Sequence, residues 1–500
     1  MRVIRLLIAT VLLLLGIVAL YFLGLTPFGH AIWMALFFRG FGFWLIAAGI
    51  AGLFLIPAAI LKFTRGYSPG SHFLLTLGIV ELLAFFLFLF LNNQFYHKYL
   101  AQQSFETITS LPNTTQIRYL PKEVSKTFGS NRYQDSQTAP GDFHSIQIGE
   151  NIEWVAARVP NGFINSISYQ TQGILIVQSD GSLKSVDAPM TFGEGMAFNR
   201  SIEWQTYSRR FNSDIDTPYY ILTSTNEVLT LVPSIGYHFQ FPAMVPFWES
   251  TYVIHPDGTI ENLSPERIQQ DPRFQGQRLF PEGLAREIGN SWGYRDGIWN
   301  ALFIHRNQVE PVSFEHDENQ MPYLLPATDS PIWAIACSPV SQAHGINTLL
   351  LWNAHSGKMQ VYTVPKTASL LGPNKAMEYV RAAYPLYNWT KDETGSVVTL
   401  EPRPVIRDSK LYWMVSVTNT NYAGVSLQTL VNAEDGSVRA FHSPDEIQAF
   451  LHGTYEGEKP PTSADTQSQQ QTDISKMSDD QLFKLIDNAL NELKKRREKK

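Results

Sequence analysis

The first 93 residues are mostly hydrocarbon, and no other feature limits the fold of this chain as strongly. From Leu6 to Leu25 it runs LLIATVLLLLGIVALYFLGL without a charge. Twenty such residues, at about 1.5 Å rise each, match a hydrocarbon layer of about 30 Å. A second apolar run, Ala31 to Leu61, is too long for one helix and carries Arg39 beside Gly40 and Gly42. It divides there into an interfacial stretch AIWMALFF, whose Trp33 and phenylalanines suit the headgroup region, and a span from Phe41 to Leu61. A third span covers Phe73 to Leu91. The prediction for residues 1–93 is a three-helix transmembrane region with spans near 6–25, 41–61 and 73–91.

Arg2 and Arg5 precede the first span, and Lys62 and Arg65 lie between the second and third. The opposite side carries only Arg39 and Lys98 nearby. This asymmetry predicts the N-terminus inside and everything after Asn92 outside the cytoplasm, in the cytoplasmic (inner) membrane. No small-x-small cleavage site follows the first apolar core, so that segment reads as retained. Glu81 lies near the middle of the third span, where an acidic residue costs about 2.5 to 3.5 kcal/mol. Three compensations stay open. One is a protonated carboxyl bonded to a neighbouring helix packed through Thr76 and the small pairs Ala47/Ala51 and Ala48/Gly52. The others are a partner membrane subunit at Glu81 and an ion or proton path, for which three helices make a poor conduit.

Composition excludes several classes. The 39 basic and 45 acidic side chains of the 500 leave a net charge of −6 and no concentrated basic surface, which argues against nucleic acid as a partner. The single cysteine, Cys337, can form neither an internal disulfide nor a Cys-based zinc site, and no cofactor is predicted.

Residues 94–149 are polar and read as a tether with entry strands. Beyond them short β-branched runs alternate with turns. Asp180-Gly181, Asp257-Gly258, Ser356-Gly357 and Asp435-Gly436 each read as a hairpin, because Gly supplies positive φ. Their spacings of 77, 99 and 79 residues suggest two tandem copies. Trp154 then faces Trp333, GMAFNRS from Gly195 faces AMEYVRA from Ala376, and EVLTLVPS from Glu227 faces SVVTLEPR from Ser396. VIHPDGTIENLSPERIQ from Val253 faces LVNAEDGSVRAFHSPDEIQ from Leu430. The copies fall at 150–270 and 330–453, with an inter-copy segment at 271–329. Ser264-Pro265-Glu266 and Ser443-Pro444-Asp445 open a closing helix in each. The expected fold is α+β, a duplicated, mainly antiparallel sheet-plus-helix domain behind the membrane segment. The second part of each copy, best seen in AMEYVRAAYP, VVTLEPRPVI, LYWMVSV and LVNAEDGSV, resembles PepSY-type modules, small helix-plus-sheet units of extracytoplasmic bacterial proteins. That resemblance implies binding, inhibition or regulation of partners rather than catalysis, and carries no site residue across. The first copy departs from it with an aromatic-rich equivalent, YHFQFPAMVPFWESTYVI.

The inter-copy segment holds the candidate chemistry. Gly289-Asn290-Ser291-Trp292-Gly293 fits the nucleophile-elbow pattern, but LAREI ahead of it reads as helix, which favours a helix-ending turn. Glu315-His316-Asp317-Glu318 groups metal ligands on a loop too short for them to converge. His238, His255, His305, His344 and His355 lack metal-ligand spacing. Trp292, Trp299 and Tyr323 with Arg295 and Arg306 form either an aromatic-basic binding groove or core packing between the copies. Residues 459–476 read as a disordered linker. After it a helix over 477–500 carries Leu482, Leu485, Ile486, Ala489, Leu490 and Leu493 on one face, an apolar stripe for a partner, for self-association or for the membrane surface.

The partner-binding candidates are therefore Glu81, Trp292, Arg295, Trp299, Leu482, Ile486, Leu490 and Leu493. They describe a membrane-anchored, non-catalytic accessory or scaffold protein whose partners are the lipid bilayer and other membrane or envelope proteins. An envelope hydrolase with a site near 289–318, or a ligand sensor, is the alternative.

Overall fold

The structure, a computed structural model, describes residues 2–38, 41–65, 69–149, 151–314, 319–327, 330–340, 345–390 and 395–461. It is a mixed α+β fold whose sheets are mainly antiparallel.

Helix α1 spans Arg2–Gly24 and α2 Pro27–Phe37. They meet at a 100° bend because Pro27 has no amide hydrogen to continue the ladder and holds Thr26 extended (φ −87°, ψ 152°). Thr26 then caps α2, accepting from Gly29 N–H at 3.1 Å. Helix α3 covers Phe41–Arg65 and α4 Pro69–Ala101. Ala51 and Ala58 are buried, and a Cβ at Gly78 would stand 2.6 Å from Leu55, so small residues let the two backbones approach closely.

Among the described residues only α4 is long and apolar enough to cross a bilayer as a single helix. The segments Thr10–Gly24 and Pro27–Phe37 meet that measure only together, as a bent pair, and Gly49–Thr64 is a shorter apolar helix. This is less than the three spans that hydropathy predicts. Helix α4 continues beyond the third predicted span. At 33 residues α4 is about 50 Å long, more than the hydrocarbon needs, and its last turns stand inside the folded domain.

Strand β1 (Phe105–Ile108) and helix α5 (Lys122–Arg132) lead into the first sheet. That sheet comprises β2 (Thr138–Pro140), β3 (His144–Ile148), β4 (Asn151–Pro160), β5 (Gly173–Val177) and β6 (Leu183–Asp187), with the short α6 (Phe163–Ser168) after β4. Helix α7 (Ile202–Arg209) precedes the second sheet, made of β7 (Asp214–Ile215), β8 (Tyr219–Leu222), β9 (Val228–Gln240), β10 (Ala243–Ile254) and β11 (Ile260–Leu263). Helices α8 (Pro265–Gln270) and α9 (Glu282–Ser291) follow.

The third sheet contains β12 (Val309–Pro311), β13 (Tyr323–Leu325), β14 (Ile332–Pro339), β16 (Thr348–Asn353) and β17 (Met359–Thr363), with β1 joining it in parallel beside β17, while β15 (Gly345–Ile346) pairs with β18 (Leu370–Leu371). Helix α10 (Pro373–Ala383) leads to the fourth sheet of β19 (Val397–Arg407), β20 (Lys410–Asn419), β21 (Val425–Asn432) and β22 (Val438–Phe441), closed by α11 (Pro444–Leu451).

All four expected glycine turns close antiparallel hairpins at positive φ, namely β5–β6, β10–β11, β16–β17 and β21–β22. The first and third sheets share an unusual edge. The N-terminal half of β4 pairs with β3 and its end with β2, just as β14 pairs first with β13 and then with β12. Two of the sequence matches take different elements. Gly195–Ser201 is a turn containing a 3-10 helix where Ala376–Ala382 is α-helix, and β9 pairs directly with the β10 strand of its Asp-Gly hairpin whereas β19 is one strand removed from β21–β22.

Residues 116–149 hold helix α5 and the strands β2 and β3 that open the first sheet. Arg118 lies 4.4 Å from the ring centre of Trp154, whose indole N–H donates to the Leu120 carbonyl at 2.9 Å ahead of Pro121 and α5. The same arrangement recurs with Arg278 5.3 Å from the Trp333 ring centre and the Trp333 N–H donating to Phe280 at 3.1 Å, ahead of Pro281 and α9. Behind each helix a glycine, Gly129 or Gly289, leaves room for Phe143 or Ile335. Apolar clusters then join first sheet to second, second to third, third to fourth and fourth back to first.

Between the fourth and first sheets lies a buried carboxylate. Glu401 sits in a bulge of β19 at φ 43°, which turns it inward. It accepts from Arg118 at 2.6 Å and from Lys122 N–H at 2.8 Å. Arg403 lies 3.7 Å away and donates to the Arg118 carbonyl at 2.6 Å. Burial and the adjacent Arg118 guanidinium push Arg403 down to about 9. Removing one partner from such a group leaves charge uncompensated away from water, at a cost of about 3 to 5 kcal/mol. Glu401→Gln is therefore expected to lower the stability of the full chain by about 3 kcal/mol, read as a shifted tryptophan-fluorescence midpoint in denaturant. An unchanged midpoint would show that this carboxylate does not hold the two sheets together.

Candidate functional site

A concave site beside the predicted residues forms where α9 gives way to irregular chain. Helix α9 ends at Ser291, a 3-10 turn covers Trp292–Tyr294, and a π-helical turn covers Asn300–Ile304. His305 and Asn307 follow in the left-handed region, at φ 56° and 52°. Wide turns and left-handed residues of this kind often mark functional segments. They enclose a pocket of about 400 Å³ beside β1 and β17, lined among others by Phe105, Trp292, Arg295, Asn307, Gln308 and Lys366.

Trp292 is only 5 % exposed, with the Phe105 ring against it edge-on at 5.5 Å, and the Arg295 guanidinium covers Phe105 at 4.0 Å. The aromatic faces are thus already occupied. What remains is polar: two exposed cations, Asp296 and a set of amides, of which Asn300 is committed to the Arg306 backbone in both directions. Such a lining can hold a small polar or anionic molecule. It offers no nucleophile paired with a base.

The five residues weighed as groove or core packing do not all come together: Trp292 and Tyr323 lie in the buried core. Trp299 is exposed and packs on Phe303 at 4.4 Å, outside the pocket lining, while Tyr323 is fully buried in the core. Arg306 contributes its backbone rather than a guanidinium to this segment. Ser291 is fully buried at the end of α9. Its hydroxyl donates to the Glu287 carbonyl at 2.8 Å and accepts from His97 Nδ1 at 2.9 Å, with the tautomer set by the first of these bonds. That Ser–His pair docks α4 on α9, beside Tyr96 donating to Glu287 at 2.8 Å and His97 stacked on Tyr294 at 5.1 Å.

A second polar cluster lies where the second and third sheets meet. Arg278 stacks between Tyr219, at 4.2 Å, and Trp333 and pairs with Glu282 at 3.2 Å, while Asp216 accepts from Gly283 N–H at 2.8 Å. Burial opposes ionisation of Glu282, but Arg278 and Arg286 outweigh it and hold the carboxyl below its ordinary value. Burial, with Glu282 nearby, raises Asp216. His144 is pushed down to about 4 by burial and by Arg278. The cavity they line is about 10 Å³, room for the centre of one water rather than a substrate.

Glu81 lies on the α3-facing stripe of α4, half-buried, and its Oε2 has no hydrogen-bond partner among the described residues. His255 is held between Glu227 and Glu261, each at 2.7 Å, and His355 between the Gln277 and Gln269 carbonyls, each at 3.0 Å. Both are structural ties. Among the described residues no three His, Cys, Asp or Glu converge as a metal site requires. Residues 315–318, His344 and the C-terminal candidates Leu482, Ile486, Leu490 and Leu493 lie outside the described residues.

Sequence reasoning missed an exposed apolar surface on the first half of the domain. On α6 Phe163 is 75 % and Ile164 77 % exposed, and Ile167 and Phe198 are also exposed. The segment is pinned rather than frayed: Arg200 donates to the Ile167 carbonyl at 3.0 Å and Ala197 N–H to Ser166 at 2.8 Å. Phe198 itself stands at φ 55°, unusual for a bulky residue. NGFINSIS reads as an ordinary turn and apolar run, and nothing in it signals outward display. No family model, curated protein or solved structure matches the chain.

The lowered His144 gives a pH signature. Between about 4 and its ordinary 6.5 the unfolded chain binds a proton there that the folded chain refuses, so stability rises with pH across that window and is lost on acidification. Glu153 and Glu194, each raised to about 7 mainly by burial, act in the opposite sense above about 4.5. His144→Gln should therefore remove up to about 3 kcal/mol of acid sensitivity between pH 6.5 and 4 relative to the parent chain. Parallel stability-versus-pH curves for the two would exclude a buried neutral His144.

Proposed function

We propose that this chain is a membrane-anchored, non-catalytic accessory protein that binds other envelope proteins through a duplicated extracytoplasmic domain, as a scaffold or assembly factor. The observation that carries the reading is the rigid apolar display of Phe163, Ile164, Ile167 and Phe198, because a soluble surface seldom pins contiguous large apolar groups outward without a partner. The display lies close in sequence to α7, whose Trp204 and Tyr207 meet Phe22 and His30 of the membrane segment, within reach of a protein held in the same bilayer.

The α1–α2 corner and the end of α4 both touch the domain, as two segments leaving the membrane on one side would. Duplication is supported by the shared edge pattern of β4 and β14 and by the paired Arg118–Trp154 and Arg278–Trp333 stacks. These stacks extend the copies upstream, to about 116–271 and 276–453. A helix ahead of a four-stranded meander, as in α10 with β19–β22, is compatible with the PepSY likeness. The predicted C-terminal helix would add a second, tethered point of engagement.

A ligand sensor is the second reading, favoured by one feature. The pocket beside Arg295 borders the 3-10 turn whose Tyr294 stacks on His97 of α4, so an occupant could bear on the membrane helix. Burial of Ser291 counts against a hydrolase that uses it.

A photo-crosslinking residue at Ile164 of the full chain in its native membrane should yield a discrete protein adduct. Ile164→Asp should abolish co-purification, truncation of 460–500 should weaken it, and Glu81→Leu should reduce it only if the partner also lies in the membrane. Adducts to lipid alone, with a monomeric chain in mild detergent, would sink the scaffold reading.

A further inference from the structure

We infer that the β9–β10 hairpin tip is a second membrane contact, a wedge that enters the lipid headgroup region beside the exit of α4. From Val228 to Trp248 there are 21 residues with no acidic or basic side chain other than His238. At the turn Phe239 is 62 % and Phe241 71 % exposed, their rings edge to face at 6.3 Å. The other hairpin turns that lie wholly within the described residues carry polar residues: Asp180, Asn226, Asp257, Ser356, Asp408, Asn421 and Asp435. An apolar turn on a water-facing domain is costly unless something covers it.

The occupant follows from where the turn is tied. Asn92, the first polar residue after the apolar core of α4, donates to the Pro242 carbonyl at 2.6 Å, and Tyr99 donates to the Phe241 carbonyl at 2.7 Å. On the other side Tyr237 packs at 5.2 Å on Phe38, at the end of α2. The two exposed phenylalanines therefore stand at the level where α4 leaves hydrocarbon, the zone that favours aromatic side chains. Tyr21, Phe22, Trp33, Trp204 and Phe211 gather around the α1–α2 corner and continue the belt. Lipid fits this surface without a matching protein pocket, because interfacial burial needs apolar area and depth rather than shape.

The inference rests on α4 crossing the bilayer, and the test separates the two. Cys337 is fully buried, so a new surface cysteine can be labelled selectively. The full chain is placed in phosphatidylcholine nanodiscs with an environment-sensitive fluorophore at Gln240→Cys, at Leu83→Cys in mid-helix, or at Lys184→Cys on the first sheet. The Gln240 label should be blue-shifted, quenched several-fold more strongly by headgroup-proximal nitroxide lipid than the Lys184 label, and shielded from iodide. Adding Phe239→Ser and Phe241→Ser to the Gln240→Cys chain should restore iodide access while circular dichroism stays unchanged. Iodide quenching at Gln240 equal to that at Lys184, with Leu83 still in lipid, would overturn the wedge alone. Iodide access at both Gln240 and Leu83 would overturn the membrane reading as well.

Discussion

The uninterrupted run of α4 from apolar segment into folded domain is the constraint on which the rest of the molecule depends. A helix cannot bend freely between two ends, so a domain gripping residues 92–101 is fixed in orientation to whatever holds residues 73–91. The grip consists of hydrogen bonds at both levels: Asn92 to the β9–β10 turn, Tyr96 to Glu287 and His97 to Ser291. The His30–Tyr207 stack with Ser213 adds a second fixed point at the α1–α2 corner. Two attachments to one face leave the domain little freedom to swing.

The charge clusters repeat that logic within the domain. Arg118 and Arg278 each lie across a tryptophan at the start of a sheet and reach toward carboxylates at a junction between sheets, Glu401 in one case and Glu282 with Asp216 in the other. Burying guanidinium and carboxylate together gains little net stability over apolar packing, but it penalises any arrangement in which the partners separate. Such clusters specify which sheet meets which.

Much of this was legible in the sequence where local chemistry decides the outcome. The Ser-Pro helix starts and the four Gly turns act over three or four residues, and their elements form as expected. The hydrophobic run of α4 is equally local, although its end is not. Nothing in NNQFYHKYLA says that the helix continues into protein, because that depends on a docking surface nearly 200 residues downstream. The Arg-x-x-Pro likeness between RYLPKEV and RLFPEGL was hidden for a similar reason. Each helix turns a different polar face outward, and only the buried arginine, proline and glycine positions answer to the same geometry. Burial of Trp292 and exposure of Phe163 likewise depend on long-range packing, since both lie in short aromatic stretches of similar composition.

The first and second halves of the domain differ where they meet their surroundings. The first half presents the charge-free β9–β10 turn, α7 and the α6 display, while in the second half the β19–β20 turn carries Asp408 and Lys410, and α9 is covered by α4. The polar pocket lies beside that covered helix, away from the apolar turn. Because both halves share one ring of buried cores, a load on either surface is transmitted through packed sheets rather than through a flexible linker.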